Sequence, residues 1–234
     1  MPDPFGRAVR DYHEDSREAP LVQRDGAETL GHPIDDFYFD EYDPDADPWL
    51  ADAMQGPLVD LGCGTGRHVL AFQEQFETIA TDVSEHLVAV ARDRGVDDAR
   101  VADMFALRES FERDRFASAL SHGTQVGLAG SMAGLREFFG DLAHVTMPDA
   151  TAVVDSYDPT RLDADELLGY RPRPRRGLAN RVFHFEYENA VGRTLLFLLF
   201  SPDRLRDAAA GTDWRLAGVD YGDEVHYRAR LEKR

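Results

Sequence analysis

The sequence predicts an α/β fold in which a parallel sheet carries helices on both faces. Strand and helix signals alternate between residues 57 and 155, and this alternation is typical of parallel strands joined by helical crossovers. Each predicted strand is a short apolar run that ends in turn residues. The 234 residues suffice for one sizeable core with additional segments. Hydrophobic residues make up 43%, which excludes wholesale disorder.

The elements of this alternating part follow in chain order. The predicted strands cover residues 57–61, 78–81, 99–102, 116–121 and 150–155. The predicted helices cover residues 65–76, 84–94 and 131–145. Ser84 is expected to cap the second helix, because a serine side chain at that place accepts a free backbone N–H. Leu135, Phe138 and Leu142 recur at helical spacing and predict the buried face of the third helix.

Two further segments interrupt or precede the alternation. Residues 1–55 contain 15 acidic residues against 4 arginines, and they predict an acidic cap or lid ahead of a main domain at 56–234. Residues 157–200 predict an insertion on the substrate side, with a β-hairpin formed by 182–187 and 194–200. A helix at 202–210 and two closing strands at 214–220 and 225–231 complete the prediction.

Charge and composition restrict the partners. The formal net charge of −18 opposes binding to nucleic acid and to anionic membranes. Lys233 is the only lysine, and Asp outnumbers Glu by 29 to 15, which suggests adaptation to a salty cytoplasm. Cys63 is the only cysteine, so an intramolecular disulfide is excluded and a cysteine-based metal site is not expected. The start of the chain lacks the pattern of a signal peptide, and the longest apolar run is too short for a membrane span, so a cytoplasmic location is expected.

The segment Val59-Asp60-Leu61-Gly62-Cys63-Gly64-Thr65-Gly66 is the most informative stretch. Its glycines lie between a predicted strand and a predicted helix, where they permit a tight turn and let backbone N–H groups approach a ligand. Arg67 stands where the dinucleotide fingerprint G-x-G-x-x-G has its third glycine. Asp82 ends the next strand, 20 residues after Gly62. A carboxylate at that place can accept hydrogen bonds from both ribose hydroxyls of a nucleoside ligand.

This segment resembles motif I of the class I S-adenosylmethionine (SAM) dependent methyltransferases. The resemblance covers about residues 56–156 and 202–234. It implies a Rossmann-like seven-stranded sheet whose last strand, at 225–231, is antiparallel, with SAM as cofactor and S-adenosylhomocysteine as product. Residues 147–150 depart from the family's Pro-Gly-Gly turn. The implied cofactor-binding residues are Asp60, Gly62, Cys63, Gly64, Thr65, Gly66, Asp82, Val83, Asp103, Met104 and Ser121.

The layout looks most like that of methyltransferases acting on small molecules. Methyl transfer is an in-line displacement that depends on positioning and often on removal of a proton. His122 follows the fourth strand and is the candidate general base, although its ring can equally pack on the cofactor. Asp155 is expected to anchor a loop rather than to take part in catalysis. The candidate substrate-side residues are Tyr38, Thr124, Gln125, Tyr157, Arg173, Arg175 and Arg176.

The arginines belong to a basic stretch at 171–181, which has five arginines and no acidic residue. Guanidinium groups bind carboxylate or phosphate in a bidentate manner, so an anionic substrate is one interpretation. The other is a solvated loop whose arginines pair with the acidic surface. No metal is expected.

Three alternatives to a small-molecule methyltransferase were weighed. An RNA or protein methyltransferase is disfavoured by the net charge, and a SAM-binding protein without catalysis stays open. A nicotinamide-dependent oxidoreductase is disfavoured by Arg67 and by the absence of a Tyr-x-x-x-Lys pair. The expected assembly is a monomer or a homodimer.

Overall fold

A computed structural model describes residues 2–162 and 167–234 of the chain. Residue 1 of the predicted cap and residues 163–166 of the predicted insertion lie outside the described residues. The strands are β1 (Val22–Asp25), β2 (Glu28–Gly31), β3 (Leu58–Leu61), β4 (Thr78–Asp82), β5 (Ala99–Val101), β6 (Phe116–Ser121), β7 (Thr146–Tyr157), β8 (Tyr170–Pro172), β9 (Leu178–Tyr187), β10 (Ala190–Val191), β11 (Leu195–Phe200), β12 (Trp214–Tyr221) and β13 (His226–Lys233). The helices are α1 (Pro4–His13), α2 (Pro48–Ala51), α3 (Arg67–Phe72), α4 (Glu85–Asp93), α5 (Leu107–Ser110), α6 (Met132–Val145) and α7 (Pro202–Ala209).

Seven strands form the large sheet, in the order β12-β13-β7-β6-β3-β4-β5. The five strands from β3 to β7 run parallel to one another. Strand β13 lies between β7 and β12 and is antiparallel to both. The prediction of a Rossmann-like seven-stranded sheet with an antiparallel last strand is therefore confirmed.

Helices cover both faces of this sheet, because successive strand residues point to opposite sides. Val59 packs in a cluster with Leu135 and Phe139 of α6. Its neighbour Leu58 packs with Leu50 of α2 and Phe72 of α3 on the other face. These side chains are almost fully buried. The predicted layer of helices on each face is confirmed.

The ends of several helices and strands can be compared with the predicted boundaries. The hydroxyl of Ser84 accepts the backbone N–H of Leu87 at the start of α4, as predicted. Helix α3 begins at Arg67 rather than at residue 65, since Gly64 and Gly66 have φ values of 57° and 80°. Strand β7 is longer than predicted and spans residues 146–157, because its pairing with both β6 and β13 extends it.

A second sheet joins the N-terminal segment to the insertion. Strands β10, β9, β1 and β2 lie side by side in that order, and β8 and β11 also pair with β9. The register places Val22 opposite Glu186 and Gln23 opposite Phe185. The predicted hairpin is present as β9 and β11, with Leu195 opposite Phe183. Two segments that are distant in the sequence therefore build one antiparallel sheet.

Helix α1 and a π-helical turn at Asp35–Phe39 complete the N-terminal segment. A cluster of buried side chains holds them against α4 and β9, and it includes Ala8, Val9, Ile34, Leu87 and Tyr187. Among the described residues, no helix is long and apolar enough to cross a membrane.

Candidate active site

The glycine loop leaves the carboxyl end of β3 in a left-handed backbone conformation. Gly62, Gly64 and Gly66 have φ values of 76°, 57° and 80°, which favour glycine strongly. A Cβ atom on Gly66 would lie 2.5 Å from the Val96 side chain. A Cβ atom on Gly64 would lie 3.6 Å from the Tyr38 ring. A side chain at Gly66 would therefore clash with Val96, whereas at Gly64 the positive φ, and not a lack of space, favours glycine.

Two buried carboxyl groups lie at the start of this loop. Asp60 is 2% exposed, and its Oδ2 has no hydrogen-bond partner among the described residues. Burial, together with the nearby charge of Asp82, raises the pKa of Asp60 to about 7. Asp82 accepts backbone N–H groups of Gly64 at 3.2 Å and of Ser84 at 2.9 Å. Burial nevertheless raises its pKa to about 6. Such a pair favours a ligand that brings positive charge or hydrogen-bond donors.

The N-terminal segment covers this loop. Asp3 caps α1 by accepting the N–H of Gly6 at 2.8 Å, and it also accepts the hydroxyl of Ser84 next to Asp82. The backbone oxygen of Tyr38 accepts the hydroxyl of Thr65 and an N–H of Arg94, the latter at 2.9 Å. The cap is therefore held directly on the glycine loop, and Tyr38 lies beside it.

The other predicted cofactor residues surround the same edge of the sheet. The side chain of Val83 is 57% exposed although Asp82 beside it is buried. Met104 is buried, and Asp103 is exposed and accepts the N–H of Phe105 at 2.9 Å. Ser121, at the end of β6, has a buried hydroxyl without a partner among the described residues. Cys63 is buried, and burial raises the pKa of its thiol well above the ordinary value.

These observations fit SAM. The unpartnered carboxylate oxygen of Asp60 can accept an ammonium group, and Asp82 has further lone pairs for ribose hydroxyls. The exposed face of Val83 suits an adenine ring, and the glycines allow close approach of a ligand to the backbone. The chain therefore offers the hydrogen-bond acceptors that the ammonium and ribose groups of a sulfonium nucleoside need.

The loop after β6 is held by Asp155. Its carboxylate accepts the N–H of Gly123 at 2.9 Å and of Thr124 at 2.7 Å. Thr124 has a φ of 61°, an unusual value for a threonine that these bonds hold in place. Gln125 follows, and its Cγ lies 3.0 Å from the place of a Cβ on Gly62. The expected loop-anchoring role of Asp155 is confirmed, and the structure brings Gln125 against the glycine loop.

Three histidines surround the same carboxylate. His226 Nε2 lies 2.8 Å from Asp155 Oδ2, and His122 Nδ1 lies 3.7 Å from it. The rings of His68 and His122 have centroids 5.0 Å apart. Burial lowers the pKa of His122, which Asp155 partly offsets. Burial lowers the pKa of His226, but the hydrogen bond to Asp155 and the charges of Asp155 and Asp223 together outweigh it, so the pKa is raised. Tyr157 lies beside this group, with its ring 5.3 Å from that of His226.

The arginines predicted for the substrate lie elsewhere. Arg173, Arg175 and Arg176 are exposed. Arg173 donates to the side chain of Asn180 at 2.7 Å, and Arg175 lies 3.7 Å from Asp207. No contact among the described residues joins them to the glycine loop. Their role in substrate binding stays a prediction.

Several residues near the glycine loop and His122 have no signal in the sequence. His68 and His226 are 158 residues apart, and neither stands in a motif, so only the folded chain reveals that both approach His122. Arg94 and Asp3, which hold the cap, were missed for the same reason. Among the described residues, no group of three or more His, Cys, Asp or Glu side chains forms a metal site.

Comparison with known proteins agrees with this geometry. Residues 58–149 match the sequence model of a family described as "Methyltransferase domain". A crystal structure of a SAM-dependent methyltransferase from Bacteroides fragilis, in complex with S-adenosylhomocysteine, is similar over 100% of this chain and 97% of its own. The TM-score is 0.82 and the sequence identity 26%. No curated protein sequence matches the chain.

Two more distant structures share the fold. SAM-bound CalS10, an amino pentose methyltransferase from Micromonospora echinaspora, is 19% identical with a TM-score of 0.56, and the match covers 82% of this chain and 86% of that one. The CcbJ methyltransferase from Streptomyces caelestis is 15% identical with a TM-score of 0.60, and the match covers 83% and 100%.

The fold and the family match over residues 58–149 indicate a Rossmann-like methyltransferase domain. The resemblance found in the sequence is confirmed to this extent: the family match and the similar solved structure are consistent with the class I SAM-dependent methyltransferases.

Proposed function

We propose that the chain binds SAM and transfers its methyl group to a small-molecule acceptor. The single observation that carries the proposal is the glycine loop with the buried carboxylate of Asp60 beside Asp82, since Oδ2 of Asp60 has no hydrogen-bond partner among the described residues. The net charge of −18 supports a small molecule over nucleic acid. The amino pentose acceptor class of CalS10 supports the same choice.

Different residues of the chain would bind the cofactor and the acceptor. SAM, when bound, supplies an electrophilic methyl group on a sulfonium. Asp60 and Asp82 would hold its ammonium and ribose groups, and Gln125 and Thr124 would orient the acceptor from the loop after β6. The covering cap would exclude water from the transfer. We further propose that three arginines of the insertion attract an anionic acceptor toward the site from its outer edge. They are Arg173, Arg175 and Arg176.

His122 is the proposed general base. Its Nδ1 lies 3.7 Å from the carboxylate of Asp155 and has no hydrogen-bond partner among the described residues. Because burial lowers the pKa of His122, the ring is neutral near pH 7 and its Nε2 can accept a proton from an acceptor hydroxyl or amine. Asp155 then stabilises the resulting imidazolium.

Calorimetric titration with S-adenosylhomocysteine tests the proposal. Binding at pH 8 is expected, with no binding of NAD. The affinity should fall as the pH falls through about 7, because the raised pKa means that Asp60 is protonated below that value and no longer accepts a charge-assisted bond. A folded protein that does not bind the nucleoside would refute the proposal.

Two variants localise the pH dependence. Asp60→Asn should weaken binding at pH 8 by about tenfold and flatten the dependence on pH, since the neutral amide does not titrate. Asp97→Asn, on the exposed turn before β5, is the matched control and should bind like the wild-type protein. An unchanged pH profile in Asp60→Asn would assign the titration to another group.

A further inference from the structure

One arginine of the insertion lies in a row of apolar side chains. Ala179, Arg181, Phe183 and Phe185 alternate along β9 and so share one face of the strand. Ala179 and Phe183 are buried there in a cluster that includes Phe197, and Tyr157 of the large sheet packs against it. Arg181 therefore places a cation between the two sheets, where removal from water is costly unless a partner compensates.

The partners of Arg181 are neutral groups. Its Nε donates to the backbone oxygen of Leu168 at 3.0 Å, and its Nη2 donates to Oε1 of Gln23 at 2.7 Å. The guanidinium lies 4.5 Å from the centre of the Phe183 ring. No carboxylate of residues 2–162 or 167–234 forms an ion pair with it, although the chain has 44 acidic residues. Nη1 has no hydrogen-bond partner among the same residues. Three of the five guanidinium N–H groups, two on Nη1 and one on Nη2, thus have no acceptor among the described residues.

A chain of hydrogen bonds leads from Arg181 to Tyr38. Because Arg181 donates to Gln23 Oε1, the amide nitrogen of Gln23 is the donor in its 2.8 Å contact with His32 Nδ1. His32 then carries its proton on Nε2 and donates it to the Tyr38 hydroxyl at 2.8 Å. Burial lowers the pKa of His32 to about 4, so this ring is neutral at pH 7. The hydroxyl proton of Tyr38 is left free to donate to a ligand.

Arg181 also lies between the two halves of the site. Tyr38, at one end, touches the position of a Cβ on Gly64 in the cofactor loop. Tyr157, at the other end, lies beside His226 and so beside the proposed base. The positive charge of Arg181 acts on both phenols and opposes the rise in their pKa values that burial causes. Arg181 is therefore linked to Tyr38 by hydrogen bonds through Gln23 and His32, and Tyr157 packs against the same apolar cluster of β9.

We propose that Arg181, with the hydroxyls of Tyr38 and Tyr157, binds a carboxylate group of the methyl acceptor. The inference rests on the proposed function, because it names the acceptor class of that site. One guanidinium balances one negative charge, and its planar fork matches the two oxygens of a carboxylate. A phosphate dianion would leave a second charge without a cation. The aromatic neighbours Phe183 and Phe185 suit an acceptor whose carboxylate is carried on an apolar or aromatic body.

The test uses benzoate and benzamide, which differ in charge at the same place. Both are titrated into the wild-type protein saturated with S-adenosylhomocysteine. Benzoate is expected to bind at least about tenfold more tightly than benzamide, and Arg181→Gln should abolish this preference. Arg193→Gln, in the exposed turn of the same insertion, is the matched control and should keep it. Arg181→Lys keeps the positive charge and loses the planar pair of N–H donors. It should therefore bind benzoate with an affinity between those of the wild-type protein and Arg181→Gln.

The outcomes separate this inference from the proposed function. Loss of S-adenosylhomocysteine binding in the wild-type protein would overturn the proposed function itself. Normal nucleoside binding with equal affinity for benzoate and benzamide would overturn only the carboxylate site. If Arg181→Gln weakens the nucleoside as much as benzoate, the arginine belongs to the cofactor's own carboxylate, and the proposal is wrong. If Arg181→Gln does not fold, Tyr157→Phe provides the test of the carboxylate site. This variant should bind benzoate more weakly than the wild-type protein and bind benzamide with unchanged affinity.

Discussion

The two sheets of the molecule contribute to the proposed site by different means. The large sheet supplies Asp60, Asp82, His122 and Asp155 from the ends of parallel strands, which the ladder of backbone hydrogen bonds fixes at one edge. The second sheet supplies its groups through side-chain contacts between two distant segments, as in the pair Gln23 and Arg181. The first half of the site is therefore set by the backbone of a continuous unit, and the second depends on docking.

Because of this difference, we expect the large sheet to keep its structure under conditions in which the second sheet opens. The second sheet joins the large one through apolar clusters and through the contacts of Asp3, Tyr38 and Arg94 at the glycine loop. Such a layer can lose its order while the parallel sheet keeps its hydrogen bonds. Three experiments, from the largest expected effect to the smallest, test this comparison.

The largest effect is expected in the large sheet, at Gly66. Gly66→Ala should lower the free energy of unfolding by about 4 kcal/mol, from left-handed strain and from the contact with Val96 at 2.5 Å. Gly95→Ala is the control, since its φ is 101° but nothing lies within 4 Å of the new Cβ. It should cost about 1 kcal/mol. Urea unfolding measures both, and equal costs would contradict the packing argument.

A smaller and more local effect is expected in the second sheet. Ile34→Ala should cost about 3 kcal/mol, because Ile34 is fully buried in the cluster under α1. Amide hydrogen exchange should accelerate in β1 and β9 and stay slow in β3 and β6. Ile34→Val, which removes one methylene, should cost about 1 kcal/mol. Uniform loss of protection across both sheets would show that they unfold as a single unit.

The smallest effect concerns the histidines at the edge of the large sheet. His226→Gln should raise the pKa of His122, because the charge of His226 disfavours a second imidazolium nearby. Asp155→Asn should lower the pKa of His122, since the carboxylate favours the charged ring. Titration of the histidine signals by NMR measures both shifts. A His122 that titrates above the ordinary value of 6.5 in the wild-type protein would contradict the effect of burial.

Much of the large sheet could be predicted from the sequence because its signals are local. The cap at Ser84, the apolar stripe of α6 and the glycine loop each depend on residues within a few positions of one another. The boundaries were less accurate: the loop glycines delay the start of α3 to Arg67, and pairing on both edges lengthens β7. These limits depend on backbone conformation and on neighbouring strands, which local patterns do not contain.

The second half of the site could not be predicted in the same way. Residues 171–181 stand out as a basic stretch, but nothing local distinguishes Arg181, which faces inward, from Arg173, which faces solvent. That difference arises because Arg181 lies within β9, on the face of the strand turned toward the large sheet, whereas Arg173 lies in the connection between β8 and β9. The pairing of Val22 with Glu186 has no local signal either.

Local sequence signals were therefore enough to predict the large parallel sheet, the resemblance to a methyltransferase family and the cofactor loop, because neighbouring residues carry those signals. Only the tertiary structure decided which charged side chains meet. It brought His226 to Asp155 and Arg181 to Gln23, and it held Tyr38 over the glycine loop. The physical reason is that burial of apolar surface between distant segments sets their register, and the register then decides which polar groups lose water and must find partners.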